Sequence, residues 1–331
     1  MIFVTGGTGL VGSYLLLQLV EKNNKLRALR RENSDIKKVE QFFKENKSQE
    51  LFHRIEWIEG DLLDITFLPT ALQGVKTIFH TAAHISFSEK EADEIIETNV
   101  TGTENLINEA IDSGVKEFIY VSSIAAMDDL NPVTKLIDEK STWNNDISHS
   151  TYAVSKYRAE MEVWRGSQEG LNVIVVNPSV IIGSLDGKRE SERIFENSFT
   201  NNYAPSGGTG FIDVRDVTAI ILDLHQKEIF NQKFILNAEN RTYYSILNYV
   251  AKKKEKEVSE ISNKVLKGIQ YISYLGRIIG LPSLNKATYK ALANFTKYDN
   301  TKIISTLDYQ FIPINEAIDY HYKNYQKNSS K

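Results

Sequence analysis

The sequence predicts an α/β fold: a doubly wound parallel sheet with a smaller, mainly helical lobe supplied by the later part of the chain. Three observations lead there. A short apolar run at residues 2–5 passes through glycines at 6, 7, 9 and 12 directly into an apolar helical stretch, the opening of a βαβ unit. As far as Ser179, further apolar runs of strand length alternate with helical patterns. Beyond Ser179 that alternation lapses. The expected division is therefore 1–178, with 208–240 returning to it, against 179–207 and 241–331 for the smaller lobe.

Composition narrows the class. With 331 residues, 41% hydrophobic and 25% charged, the chain can bury a large core and reads neither as disordered nor as a membrane protein. A net charge of -4 gives no general attraction to nucleic acid, so a small molecule is the expected partner, with a homodimer left open. The absence of cysteine excludes disulfides, thiolate nucleophiles and cysteine-held metals, and suits a reducing compartment. The glycine turn arrives at the sixth residue, where a secretory signal would still be running, so the expected address is cytoplasmic.

In the stretch Met1 to Gly12, Gly6 suits a tight turn, Gly9 a close approach of backbone to a pyrophosphate, and Gly12 close packing of the helix. The helix from Leu10 to about Glu21 would aim its free N–H groups at the phosphates. Gly6, Thr8, Gly9, Leu10, Val11 and Gly12 are thus candidate dinucleotide contacts. The spacing is G-x-x-G-x-x-G, where the common fingerprint is G-x-G-x-x-G. The second strand, residues 25–31, ends in Arg30 and Arg31, and no acid precedes Glu32. Arginine in that place can pair with the 2'-phosphate of NADP(H), whereas a carboxylate would accept from the ribose of NAD(H). NADP(H) is the preferred expectation and NAD(H) the second; solvated arginines at a strand end are the alternative.

A third strand over Ile55 to Leu62 puts Asp61 and Leu62 at its carboxyl tip, either beside an adenine or, for Asp61, capping the next helix. A fourth, Val75 to Ala83, ends in the small residues Thr81, Ala82 and Ala83, which leave room for a cofactor. His80 and His84 have no partner at metal spacing, and no metal is expected. Residues 89–113 read as an amphipathic helix and Val115 to Ser123 as a fifth strand. Tyr152 and Lys156, four residues apart, share a helix face. The ammonium favours phenolate there, so the pair suits general acid/base work near neutral pH.

These landmarks occur in a telling order. TGGTGLVG, GDL, HTAA, Asn99-Val100-Thr101-Gly102-Thr103, YVSS, YAVSK and NPS together resemble the extended branch of the short-chain dehydrogenase/reductases, over nearly the whole length. The resemblance implies a Rossmann-type sheet. It makes Tyr152 the catalytic acid/base, Lys156 the residue that tunes it and holds the nicotinamide ribose, and Ser123 the orienter of the substrate oxygen, with Ser122 second. It lays Pro178 and Ser179 along the nicotinamide and Thr81 to Ala83 beside the ribose, with Asn99 bracing backbone.

Within the branch, His84-Ile85-Ser86-Phe87, the ending LRALRR and Gly210 to Val217 resemble the dihydroflavonol reductase and 3β-hydroxysteroid dehydrogenase group. Sugar-nucleotide epimerases and dehydratases commonly carry an Arg-Asp pair where this chain has Thr209-Gly210. Lys188, Arg189 and Arg193 could still supply phosphate contacts. The implied activity is NAD(P)H-dependent reduction of a ketone or aldehyde of an apolar small molecule, or oxidation of the matching alcohol. Phe87, Met127 and Ile182 are guessed as an apolar wall around the carbonyl. The rival readings are a sugar-nucleotide epimerase or dehydratase and a non-catalytic NADP(H) sensor.

Further expectations concern the rest of the chain. Asp216 should cap a helix from Val217, with Arg215 in an ion pair, and residues 184–209 should form a mobile loop. Lys252 to Lys254 read as a solvated helix end. The stripe Val265, Leu266, Ile269, Ile272, Leu275, Ile278 and Ile279 is too interrupted to span a bilayer and reads first as core or lid, with a helix lying on a membrane as the alternative. A last helix, Asn315 to Tyr325, should give way to a disordered end.

Overall fold

The computed structural model describes residues 1–22, 25–86, 88–185, 193–276 and 286–329. Its strands are β1 Ile2–Thr5, β2 Leu26–Arg30, β3 Ile55–Glu59, β4 Thr77–His80, β5 Glu117–Val121, β6 Asn172–Pro178, β7 Val180–Ile182, β8 Tyr203–Pro205, β9 Gly208–Asp213, β10 Gln232–Leu236, β11 Glu239–Thr242 and β12 Ser259–Ile261. Seven of them form one sheet in the order β10-β6-β5-β4-β1-β2-β3, and every pairing in it is parallel. Strand order reverses between β1 and β4, where Thr5 pairs with His80. A doubly wound sheet opens its ligand crevice at the carboxyl ends beside that reversal.

Both faces of the sheet are covered, so its central strands bury residues on both sides. Phe3 packs into a cluster with Leu106, Ile107, Ala159 and Val163. Its neighbour Val4 packs the other way, among Leu15, Leu16, Val217 and Ile220. The stretch 208–240 divides. β10 returns to the large sheet, whereas β9 lies between β11 and β7 in a separate three-stranded sheet. β8 and β12 pair in a third.

Local chemistry altered several expected elements. The helix expected over 89–113 includes a five-residue π segment, Glu97–Thr101, between helices Ala92–Ile96 and Gly102–Asp112. Asp213, not Asp216, caps the helix Val214–Gln226, accepting from Arg215 N at 2.7 Å and pairing with its guanidinium at 2.6 Å. Asp216 lies inside the first turn, where it accepts from Tyr309 Oη and Ile312 N. The stretch expected to be a mobile loop carries the helix Arg193–Thr200 and strand β8. The last helix runs over Ile314–Ser329, through most of the end expected to be disordered. Of the apolar stripe, Leu266 is buried while Val265 and Ile269 stay exposed on the helix Asn263–Gly276; Ile278 and Ile279 fall outside the described residues.

Candidate active site

The helix Thr151–Gln168 starts at Ser150, whose hydroxyl accepts from Ala153 N at 3.2 Å. That cap fixes where the first turns lie against the end of β5. Tyr152 is partly exposed in the first turn, and Lys156 follows one turn later, 1% exposed. Lys156 Nζ donates to the Val121 carbonyl at 2.7 Å and lies 4.4 Å from the centroid of the Tyr120 ring. Burial pushes this ammonium down to about 7, against the pull of the Glu160 charge.

Tyr152 is hydrogen-bonded to Ser123, which favours phenolate, but burial is the larger effect and raises its pKa. The lowered phenol expected from the spacing alone is therefore not what the structure shows.

Ser123 is partly exposed and caps the turn Ile124–Ala126, accepting from Ala125 N at 3.1 Å. Ser122 faces the other way. It is buried and donates to Glu160 Oε2 at 2.6 Å, so its hydroxyl is committed to the interior rather than to a cofactor or substrate. Asn99, in the π segment, donates to Ser155 Oγ at 2.9 Å and the His84 carbonyl at 3.0 Å, and accepts from His84 N at 2.7 Å. It braces backbone beside the helix Thr151–Gln168.

The glycine turn follows β1, beside the end of β4. Gly6 has φ +70°, and a Cβ there would stand 2.6 Å from Ala82 N. A Cβ on Gly12 would stand 2.1 Å from the Gly6 carbonyl, so this glycine packs the helix Leu10–Lys22 against the turn itself. A Cβ on Gly9 would meet only the Gly6 carbonyl, at 3.1 Å, leaving that surface open for approach. Thr8 and Val11 are partly exposed, whereas Leu10 is buried against Gly183. Thr81 to Ala83 are partly exposed at the end of β4. Open backbone at a helix N-terminus fits a dinucleotide pyrophosphate.

Farther along the edge, Arg30 pairs with Glu59 across β2 and β3 at 2.6 Å, while Arg31 is exposed. Asp61 accepts from Leu63 N at 2.9 Å, closing a local turn, and Leu62 is buried against Gly102. Pro178 ends β6 opposite Leu236, and Ser179 N donates to the Leu236 carbonyl at 2.9 Å. Both residues are buried, and Ser179 Oγ has no hydrogen-bond partner among the described residues.

Two of the three residues guessed as an apolar wall are buried in the interior. Met127 is packed with Ile124, Ile137, Ile235 and Tyr298, and Ile182 has no exposed surface, because both were recruited into interior clusters. Phe87, Lys188 and Arg189 lie outside the described residues, as does the side chain of Arg193.

Tertiary packing also assembles groups that sequence reasoning missed. His84 meets Glu91 at 2.9 Å and Glu94 at 3.6 Å, three ligand-bearing groups within 4.8 Å of one another. Just before Tyr152, His149 pairs with Asp128 at 2.6 Å and stacks on Trp143 at 3.8 Å between ring centroids. Glu160 is the most consequential. Its place four residues after Lys156 was the available signal.

The profile of the NAD dependent epimerase/dehydratase family matches residues 2–234. The chain belongs to this family. It is an NAD(P)-dependent oxidoreductase of the extended short-chain type. Among its relatives, a Synechocystis sp. protein with the provisional name dihydroflavonol 4-reductase is 33% identical over 267 residues, 75% of this chain and 71% of that one. Sterol demethylase protein B of Methylococcus capsulatus is 30% identical over 253 residues, 75% of this chain and 72% of that one. The structure of Gre2 from Candida albicans in complex with NADPH superposes with a TM-score of 0.76 at 17% identity, covering 99% of this chain and 98% of that one. That last likeness is one of fold. No described helix is long and apolar enough to cross a membrane.

Proposed function

We propose that this enzyme reduces a ketone or aldehyde of an apolar small molecule, or oxidises the matching alcohol, with NADP(H) preferred over NAD(H). The observation that carries the reading is the meeting of Ser123 and Tyr152 in a hydrogen bond at the end of β5, with Lys156 buried one helical turn away. When bound, the nicotinamide supplies or takes the hydride. Gly6, Thr8, Gly9 and Val11 would hold the pyrophosphate end, Thr81 to Ala83 the central riboses, and Lys156 the ribose next to the nicotinamide. Tyr152 passes its proton to the carbonyl oxygen as charge develops there, and the Ser123 hydroxyl fixes that oxygen. The names of the Synechocystis and Methylococcus relatives, a dihydroflavonol reductase and a sterol demethylase component, support an apolar substrate. Exposed Arg31 at the tip of β2 supports the phosphorylated cofactor.

The test is a fluorescence titration with NADPH and NADH, followed by a screen of hydrophobic ketones and aldehydes against UDP- and GDP-sugars for oxidation of bound NADPH. NADPH preference with turnover of a hydrophobic carbonyl is expected. Tight NAD together with binding of a nucleotide sugar would replace this reading with an epimerase or dehydratase.

A further inference from the structure

Lys156 is a buried cation with sparse compensation. One carbonyl bond and one aromatic face replace its hydration, and a desolvated ammonium without a counter-charge gives up its proton. Charged and titratable groups around it come from three elements. His80 on β4 is buried and bonded to Thr5 and Thr103, and burial disfavours its charged form. Tyr120 on β5 presents its ring. From the helix itself come Tyr152 and Glu160. Glu160 is therefore the one anion among these neighbours.

Glu160 is itself held by donors alone. Its Oε2 accepts from Ser122 Oγ at 2.6 Å and Asn177 Nδ2 at 2.8 Å, and its Oε1 accepts from Trp164 Nε1 at 3.3 Å. A carboxyl that only accepts is the ionised form. Asn177 Nδ2 also donates to the Ser123 carbonyl at 3.1 Å. One buried carboxylate thus ties together the end of β5, the end of β6 and the helix that carries Tyr152.

We infer that Glu160 is a positioning residue of the reaction: it keeps Lys156 protonated and, through Ser122 and Asn177, fixes the strand end that presents Ser123. The inference rests on the reading of Lys156 and Ser123 as members of the reacting constellation. Lys156 is nonetheless open to direct measurement with neither cofactor nor substrate present.

Protein labelled with ε-carbon-13 lysine is titrated by NMR, the Lys156 signal being assigned by its loss in Lys156→Arg. In Glu160→Gln the Lys156 midpoint should fall by about one pH unit or more, a tenfold loss of protonation at a given pH. In Ser122→Ala, which keeps the charge, it should stay where it was. A folded Glu160→Gln protein with the wild-type midpoint overturns the inference. If Glu160→Gln does not fold, the double variant Lys156→Met/Glu160→Gln decides. Recovery of folding in the double variant shows that the carboxylate was matched to the ammonium. Failure of both shows a purely structural role and overturns the inference. Absence of carbonyl turnover in the wild type would sink the proposed function without moving the lysine midpoint, so the two failures are distinguishable.

Discussion

His80 and Thr103 meet at 2.9 Å between Nε2 and Oγ1, and Thr103 has already given its own proton to the Asn99 carbonyl at 2.6 Å. Thr103 can therefore only accept, so His80 donates from Nε2. Its Nδ1 then accepts from Thr5 Oγ1 at 2.6 Å, and Thr5 Oγ1 in turn receives Ala82 N at 3.3 Å. A buried imidazole thus links the β1 and β4 tips, beside the glycine turn, to the π segment that braces the helix Thr151–Gln168.

Burial and then the Lys156 charge push His80 down to about 3, whereas an exposed imidazole titrates near ~6.5. Between those values the unfolded chain binds the extra proton. Stability should accordingly fall as pH drops below ~6.5, His80 contributing a loss of about 2 kcal/mol between pH ~7.5 and ~5. Urea unfolding at the two pH values measures it. His80→Gln should lower stability overall and flatten this acid limb. An unchanged limb would assign it to other groups.

Removing the phenol should separate chemistry from binding. Tyr152→Phe should lower turnover by about 10²- to 10⁴-fold while leaving the NADPH dissociation constant within about twofold. The check is steady-state kinetics beside a fluorescence titration. Turnover at the wild-type level would remove Tyr152 from its role as acid.

Arg30 and Arg31 should differ. Arg30 is tied to Glu59 at 2.6 Å and Arg31 is exposed, so Arg31→Ala should weaken NADPH by about tenfold or more, roughly 1.4 kcal/mol. Arg30→Ala should cost less, and NADH should be little affected by either. Equal weakening of both cofactors by Arg31→Ala would leave the 2'-phosphate without its proposed partner.

At Gly12 the obstacle is backbone, which cannot rotate aside. A Cβ there would lie 2.1 Å from the Gly6 carbonyl, so Gly12→Ala should destabilise by about 1–3 kcal/mol and displace the turn proposed to hold the pyrophosphate. Urea unfolding and NADPH titration should both register it. Wild-type values in both would show that the turn absorbs a methyl group.

The sequence by itself determined the sheet, the glycine turn and the placing of Tyr152 and Lys156 on one helix, because these are written locally. Strand length, the G-x-x-G-x-x-G turn and the four-residue step from Tyr152 to Lys156 each lie within one or two elements, and periodicity reports such features. Tertiary structure decided what depends on burial and on partners far apart in the chain. The lowered phenol expected at Tyr152 gave way to a raised one because burial outweighs the Ser123 hydrogen bond. Ser122 turned inward because Glu160, 38 residues later, accepts its proton. Met127 and Ile182 read as pocket lining but became core, since hydropathy alone does not say which apolar residue finds an apolar neighbour. Asp213 took the cap assigned to Asp216 because Tyr309 and Ile312, more than ninety residues away, engage Asp216 instead. Local spacing specifies direction and period; dielectric environment and long-range hydrogen-bond partners exist only once the chain has closed on itself.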